Sequence, residues 1–246
     1  WNWKANGAGS ANTTGSINST VSVNTTSGFS IVKYTGTGAN ATVGHGLGVA
    51  PKMIHVKGIN TNSTNWLTGG SNISSNWASS LHLNTTAGID TYNYWQNYAP
   101  NANVFYMTSD GALNQSGIDY IAYCFSDVQG YSKFGSYIGN GSTDGPFVYT
   151  GFKPAFVMVK ITAGQTDNWI MQDNKINSFN GASSQRLRPN SSGAEFSSSN
   201  EIDLLSNGFK VHGADGEING DGFSYIYMSF AENPFTSSAG TPVTAR

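Results

Sequence analysis

The strongest constraint in this 246-residue sequence is self-similarity at a long period. Gly28-Phe29-Ser30 returns as Gly130-Tyr131-Ser132, and Tyr34-x-Gly36-x-Gly38 as Tyr137-x-Gly139-x-Gly141. Gly48-x-x-Pro51 with Val56-Lys57 returns as Gly151-x-x-Pro154 with Val159-Lys160, and Asn65-Trp66 as Asn168-Trp169. Asn84-Thr85-Thr86 matches Asn190-Ser191-Ser192. The closing run that begins Tyr120-Ile121-Ala122 matches Tyr225-Ile226-Tyr227. The offset grows from 102 (Gly28 to Gly130) to 106 (Asn84 to Asn190), as small loop insertions produce. Matches that keep their order over a whole unit point to a duplicated module. The reading is an extended spacer over 1–27, repeat one over 28–129, repeat two over 130–235 and a Ser/Gly/Pro tail over 236–246.

Each repeat reads as β. Met53-Ile54-His55-Val56 and Phe156-Val157-Met158-Val159 are apolar runs that follow a proline, which suits a strand start. The closing runs are aromatic and β-branched. Asp110-Gly111 and Asn207-Gly208 lie between strand candidates and suggest tight turns. No stretch sustains the 3.6-residue apolar period of a helix with caps. The expected fold is all-β: two tandem antiparallel β-sandwich modules, jelly-roll-like and related by the repeat. A single intertwined sandwich is the alternative.

Composition narrows the function classes. Only 11% of the residues are charged, with 12 Lys+Arg against 14 Asp+Glu, so no basic surface for nucleic acid is expected. Ser, Thr and Asn make up roughly a third of the chain, yet aromatics reach 13%, too many for a disordered tail. No apolar run approaches the roughly 18 residues that span a bilayer. Cys124 is the single cysteine and excludes an internal disulfide. The chain opens on Trp1 rather than Met, so further sequence upstream is expected, and residues 1–27 hold no apolar core of a signal peptide.

Few residues promise chemistry. His45, His55, His82 and His212 fall in no metal-ligand spacing and read as packed or half-exposed imidazoles. Cys124 sits mid-strand and aligns with Ser229, which reads as a small buried residue rather than a nucleophile. No carboxylate pair stands out for glycoside hydrolysis, and no nucleophile elbow occurs, so the chain is not read as an enzyme and no cofactor is expected. Asp215, Glu217, Asn219 and Asp221 alternate like the start of a calcium loop. The twelfth position holds Ile226 instead of a bidentate acid, so a polar turn is the preferred reading and no metal is assigned.

The aromatic cluster Tyr92, Tyr94, Trp95 and Tyr98 lies among Asn93, Gln96 and Asn97 and has no counterpart in repeat two. Trp77, also without a counterpart, joins it. Aromatic faces stack on sugar rings and amides bond to hydroxyls, which is the chemistry a neutral glycan site needs. An aromatic plug in the core, or at a subunit interface, is the competing reading. The five aromatics are carried forward as candidate ligand-binding residues.

Larger blocks of the sequence resemble a known family. These are Gly130-Tyr131-Ser132-Lys133-Phe134-Gly135-Ser136-Tyr137, Gly145-Pro146-Phe147-Val148-Tyr149-Thr150-Gly151-Phe152-Lys153-Pro154-Ala155, Leu205-Ser206-Asn207-Gly208-Phe209-Lys210 and the ending Gly240-Thr241-Pro242 with Thr244-Ala245-Arg246. Together they resemble a C-terminal module of virion structural proteins from tailed bacteriophages of marine bacteria and cyanobacteria, described as tail fibre or host-adhesion proteins. The resemblance implies a location on the virion surface, other virion proteins as partners, a homo-oligomer with a trimer favoured, and a host-surface glycan as ligand. It implies neither nucleic-acid binding nor membrane insertion, and it offers no catalytic residues. A capsid-surface fibre or decoration protein, and a secreted bacterial carbohydrate-binding module, are the alternatives.

Overall fold

The computed structural model describes residues 2–61, 63–176, 180, 184–198 and 202–231. The tail read over 236–246 and the last residues of repeat two, 232–235, lie outside the described residues. Those described form eighteen strands and no helix, arranged in several antiparallel sheets. The chain divides into two compact units, one of Trp1–Leu83 with Ile89–Asp127, the other of Asn84–Gly88 with Val128–Arg246.

The first unit contains β1 (Ser10–Asn12), β2 (Ser19–Asn24), β3 (Phe29–Thr35), β4 (Ala41–Gly44), β5 (Met53–Gly58), β6 (Leu67–Gly70), β7 (Leu81–His82), β8 (Val104–Met107) and β9 (Asp119–Phe125). Seven of them make one sheet in the order β1-β2-β3-β9-β5-β6-β7, and β4 pairs with β8 in a second. Side chains alternate along each strand, as the period of two demands. Val32 and Tyr34 of β3 are buried while Lys33 and Thr35 face out. On β9, Tyr120, Ala122 and Cys124 are buried. These join Val43 of β4 and Phe105 and Met107 of β8 in one sandwich-like core. Burial pushes the Cys124 thiol up to about 12, so it is held as a thiol and packs as a small apolar group.

The lead-in is not a spacer. Within 1–27, β2 pairs with β3 from Ser19 opposite Tyr34 to Asn24 opposite Phe29, and β1 pairs with β2. Ile17 and Val21 are buried in the core. The segment Ser19-Thr20-Val21-Ser22-Val23-Asn24 is an alternating strand whose hydroxyls disguise it. Gly28, at φ 62°, helps close the turn into β3 with a left-handed conformation that favours glycine.

The second unit contains β10 (Ser132–Ile138), β11 (Asp144–Tyr149), β12 (Pro154–Ala163), β13 (Trp169–Asp173), β14 (Ser184–Arg186), β15 (Phe196–Ser198), β16 (Ile202–Leu205), β17 (Gly208–His212) and β18 (Ser224–Ala231). Its sheets run β10-β18-β12-β13, β11-β17-β16 and β14-β15. Val157, Val159 and Ile161 of β12 pack with Phe209 and Val211 of β17 and with Tyr225 and Tyr227 of β18. The tight turn expected at Asn207-Gly208 joins β16 to β17, and Asn207 O accepts the amides of Thr150 and Gly151.

In each unit two tyrosines brace one loop. Tyr34 and Tyr120 stack at 5.4 Å and 15°; the Tyr34 hydroxyl donates to Leu113 O and that of Tyr120 to Gly111 O. Tyr137 and Tyr225 stack at 4.9 Å and 12°; their hydroxyls donate to Ile218 O and Gly216 O. Burial holds the Tyr34 and Tyr137 phenols well above their ordinary range, so both remain donors.

Candidate functional site

The aromatic segment 92–98 lies in the long connection between β7 and β8, and Asp90 ties its start down. Asp90 and Ser80 exchange backbone hydrogen bonds at 2.8 Å. One carboxylate oxygen of Asp90 accepts the Tyr92 amide at 2.9 Å. The other accepts the Tyr94 hydroxyl at 2.8 Å and faces His82 Nε2 at 3.2 Å. Partial burial would raise the Asp90 carboxyl. The hydrogen bonds from Tyr92, Tyr94 and His82 outweigh it and hold the group below the usual carboxylate range. The Tyr94 phenol is raised by burial and by the Asp90 carboxylate it bonds to.

The five aromatics part company here. Trp77 and Trp95 are 1% and 0% exposed, so neither can meet a ligand, and the sequence reading of both as site residues is corrected. They pack edge to face at 5.2 Å and 84°, and the Trp95 indole donates to Ser80 Oγ at 2.8 Å. Gly69 makes room for them. A Cβ there would lie 2.5 Å from the Trp77 ring and 2.7 Å from that of Trp95. Gly69→Ala is therefore expected to cost about 1–3 kcal/mol by overpacking. An unchanged urea midpoint would show instead that the indoles yield.

Burying Trp95 bends the chain. Gln96 and Asn97 follow it at φ 60° and 56°, a left-handed pair that side-chain-bearing residues rarely adopt. Gln96 offsets the strain with two donations, to Ala41 O at 3.1 Å and Met107 O at 2.7 Å. These carbonyls belong to opposed residues of β4 and β8, so one side chain links that sheet to the aromatic loop.

Tyr92 and Tyr98 remain at the surface, 54% and 60% exposed. Tyr92 leans on half-buried Tyr94 at 4.8 Å, and Tyr98 on Tyr106 at 5.5 Å. Sequence reasoning missed Tyr106, although the alternation along Val104-Phe105-Tyr106-Met107 turns it away from the core. It also missed Asp90, which no spacing signals. Beside Tyr94 opens a cavity of about 260 Å³ lined by Thr64, Asn65, His82, Ala112 and Gln115 among others.

The calcium-like run is a self-satisfied turn. Asp215 Oδ1 accepts the Glu217 amide at 2.9 Å. Asn219 is fully buried: its oxygen accepts the Asn140 amide, and its Nδ2 donates to Asn140 Oδ1, Ser142 O and Gly213 O. The Glu217 carboxylate takes Asn168 Nδ2 at 2.9 Å and the Arg188 guanidinium. Three of the four residues, Asp215, Glu217 and Asn219, thus turn oxygens to protein donors. Among the described residues no group of three or more His, Cys, Asp or Glu side chains could hold a metal ion. The run Asp215, Glu217, Asn219 and Asp221 is a structural turn, the reading preferred from its sequence over the weaker calcium-loop one.

Two histidines are structural. His45 accepts the Leu47 amide at Nδ1 and faces Asn101 O at 3.0 Å through Nε2, the neutral tautomer with its proton on Nε2. His55 Nδ1 meets Thr68 Oγ1 at 2.8 Å, and burial lowers its pKa to about 4. His212 pairs with Asp203 at 2.8 Å. A buried lysine, Lys160, donates to Thr86 O at 3.1 Å and Asp167 O at 2.5 Å, and burial lowers its ammonium to about 8.

A family model described as a domain of unknown function (DUF7483) matches residues 1–234. No curated protein and no solved structure matches the chain.

Proposed function

The chain belongs to the DUF7483 family, and we propose that within it this protein is a structural component of a tailed-bacteriophage virion. It sits in a tail fibre or another surface appendage and attaches the particle to glycans on the host surface. One observation carries the adhesive role: Tyr92 and Tyr98 stand exposed, Tyr98 against Tyr106 and Tyr92 against Tyr94, which lines an open cavity. Exposed tyrosine faces set among amides and hydroxyls suit sugar rings better than they suit charged or extended apolar partners. The virion location rests on the sequence blocks that resemble tailed-phage fibre modules.

The two units are read as copies of one sandwich module. The order β3-β9-β5-β6 has the same sequence of roles as β10-β18-β12-β13, and β4-β8 corresponds to β11-β17. The braced loops support the same reading, because Tyr34, Tyr120 and Asn114 make the bonds that Tyr137, Tyr225 and Asn219 make. The aromatic segment has no equivalent in the second copy, which is what a surface gained by one copy would give. Single sugar contacts of this kind are weak, so adhesion needs many copies. A homo-oligomer, with a trimer favoured, supplies them. Exposed Ile138, Phe147 and Tyr149 of the second unit offer apolar surface for such contacts.

The test is an antibody raised against the chain, applied to intact particles of the phage that encodes it. Label on an appendage, and inhibition of adsorption when cells are first coated with the free chain, are the expected results. Absence of label from particles, with glycan binding retained, would move the protein to a secreted carbohydrate-binding module. Labelled particles whose adsorption the free chain does not block would leave a structural role without adhesion.

A further inference from the structure

We propose that the cavity of the first unit holds one neutral sugar residue, and that it is open because Ala112 stands where the second unit has Glu217. This rests on the adhesive reading and on the two units being copies.

The repeat aligns Asp110 with Asp215, which sets Ala112 against Glu217. It aligns Asn65 with Asn168, and Asn84 with Asn190, which sets His82 against Arg188. Local bonding agrees. Asp110 Oδ1 accepts the Ala112 amide at 2.7 Å, as Asp215 Oδ1 accepts that of Glu217 at 2.9 Å. The strands agree as well: Thr68 pairs with Leu81 as Met171 does with Leu187, one residue before His82 and Arg188 respectively.

In the second unit this place is filled from within. Glu217 is 5% exposed, and its carboxylate binds Asn168 Nδ2 and Arg188. The Arg188 guanidinium in turn lies 4.1 Å over the Phe196 ring. An acceptor oxygen, a ring of donors and an aromatic face are thus all supplied by the chain itself. In the first unit the side chain stops at the Ala112 methyl. Asn65 and His82 line the space with Tyr94, and about 260 Å³ stays open.

A guest there meets Asn65 and His82 where Glu217 meets Asn168 and Arg188, and it lies beside Tyr94. A sugar suits both, with hydroxyls for the polar side chains and a carbon face for the tyrosine ring. Charge selects among sugars. The Asp90 carboxylate lies directly behind His82 and Tyr94, so a uronic or sialic acid would place a second carboxylate against it. Neutral hexoses escape that repulsion.

The experiment fills the cavity as the second unit does. Ala112→Glu, and Ala112→Gln in case the charge disturbs folding, are compared with the natural chain for binding to an immobilised panel of neutral and uronic-acid oligosaccharides. Thermal melts verify that each variant is folded. Binding of a neutral glycan that falls at least tenfold in a folded variant supports the inference. Unchanged binding in both variants, with loss in Tyr92→Ala or Tyr98→Ala, overturns the cavity while leaving adhesion through the exposed tyrosines intact. Preference for uronic acids overturns the neutral assignment. A chain that binds no glycan yet blocks adsorption overturns the sugar cavity but not attachment, whereas a chain that does neither overturns both.

Discussion

Trp95→Ala is expected to destabilise the first unit by about 3–5 kcal/mol, the usual cost of emptying a buried aromatic site. Domains of this size are stable by only about 5–15 kcal/mol, so the loss would be a large share of the total. The cause is packing. The Trp95 ring meets Trp77 at 5.2 Å and Phe105 at 6.3 Å, and removing it strands the Ser80 hydroxyl that its indole bonds. Gly69 bears no side chain that could swing into the hole, and the left-handed pair Gln96-Asn97 loses the anchor that holds it bent. Tyr92→Ala, three residues away and 54% exposed, should shift stability by no more than about 0.5 kcal/mol. Urea unfolding followed by tryptophan fluorescence separates the two. Five of the six tryptophans precede residue 128, so the signal reports mainly on the first unit. Equal midpoints for Trp95→Ala and the natural chain would place that indole outside the cooperative core. A Tyr92→Ala loss as large as that of Trp95→Ala would erase the division between packed and exposed aromatics.

That division shows where the sequence was readable and where it was not. Strands with a clean period of two were legible: the runs after Pro51 and Pro154 form β5 and β12, and the aromatic closing runs form β9 and β18. The strand β2 was hidden because hydroxyls fill half of its places, Ser19 and Ser22 buried and Thr20 exposed, and the Asn/Thr runs around it read as spacer. Its two valines carry the whole apolar signal. The cluster 92–98 divides, with Tyr92 and Tyr98 exposed and Trp95 buried. It lies in a connection without regular period, so nothing in Tyr94-Trp95-Gln96 says that the middle ring turns inward. The decision comes from Gly69 and Ser80, on or beside strands more than ten residues earlier, which provide the slot and the indole acceptor. The run from Asp215 to Asp221 was ambiguous in pattern, and the missing acid at the twelfth position favoured the turn. Oxygens at alternate positions look like cation ligands, yet Asp215 and Asn219 direct theirs to backbone amides of their own turn and of Asn140. Comparing the two repeats was more informative than either alone, since Ala112 acquires a meaning only beside Glu217.

Mild acid should weaken the first unit through His55 before any carboxylate titrates. The imidazole is buried against Thr68 and Phe125, and burial lowers its pKa to about 4 from 6.5. In the unfolded chain the ring takes up a proton below about pH 6.5, whereas in the folded chain it stays neutral to about pH 4. Between these values the unfolded state binds the extra proton, so stability falls as the pH falls. At about 1.4 kcal/mol per pH unit the loss approaches about 3 kcal/mol by pH 4. His45, also lowered by burial, adds a loss of the same sign. The exposed carboxylates act elsewhere on the scale. Asp119, held down by Thr35 and Lys33, and Asp144, held down by Lys210, contribute stability that disappears only below the ordinary carboxylate range. The measurement is the urea midpoint at pH 7, 5.5 and 4.5 for the natural chain and for His55→Gln, whose amide can still bond Thr68 Oγ1. The natural chain should lose stability steeply over this range, and the variant should lose markedly less, retaining the smaller slope that His45 imposes. Parallel slopes for the two proteins would mean that His55 accepts its proton without cost, and that the ring is not sealed between β6 and β9 as its contacts require.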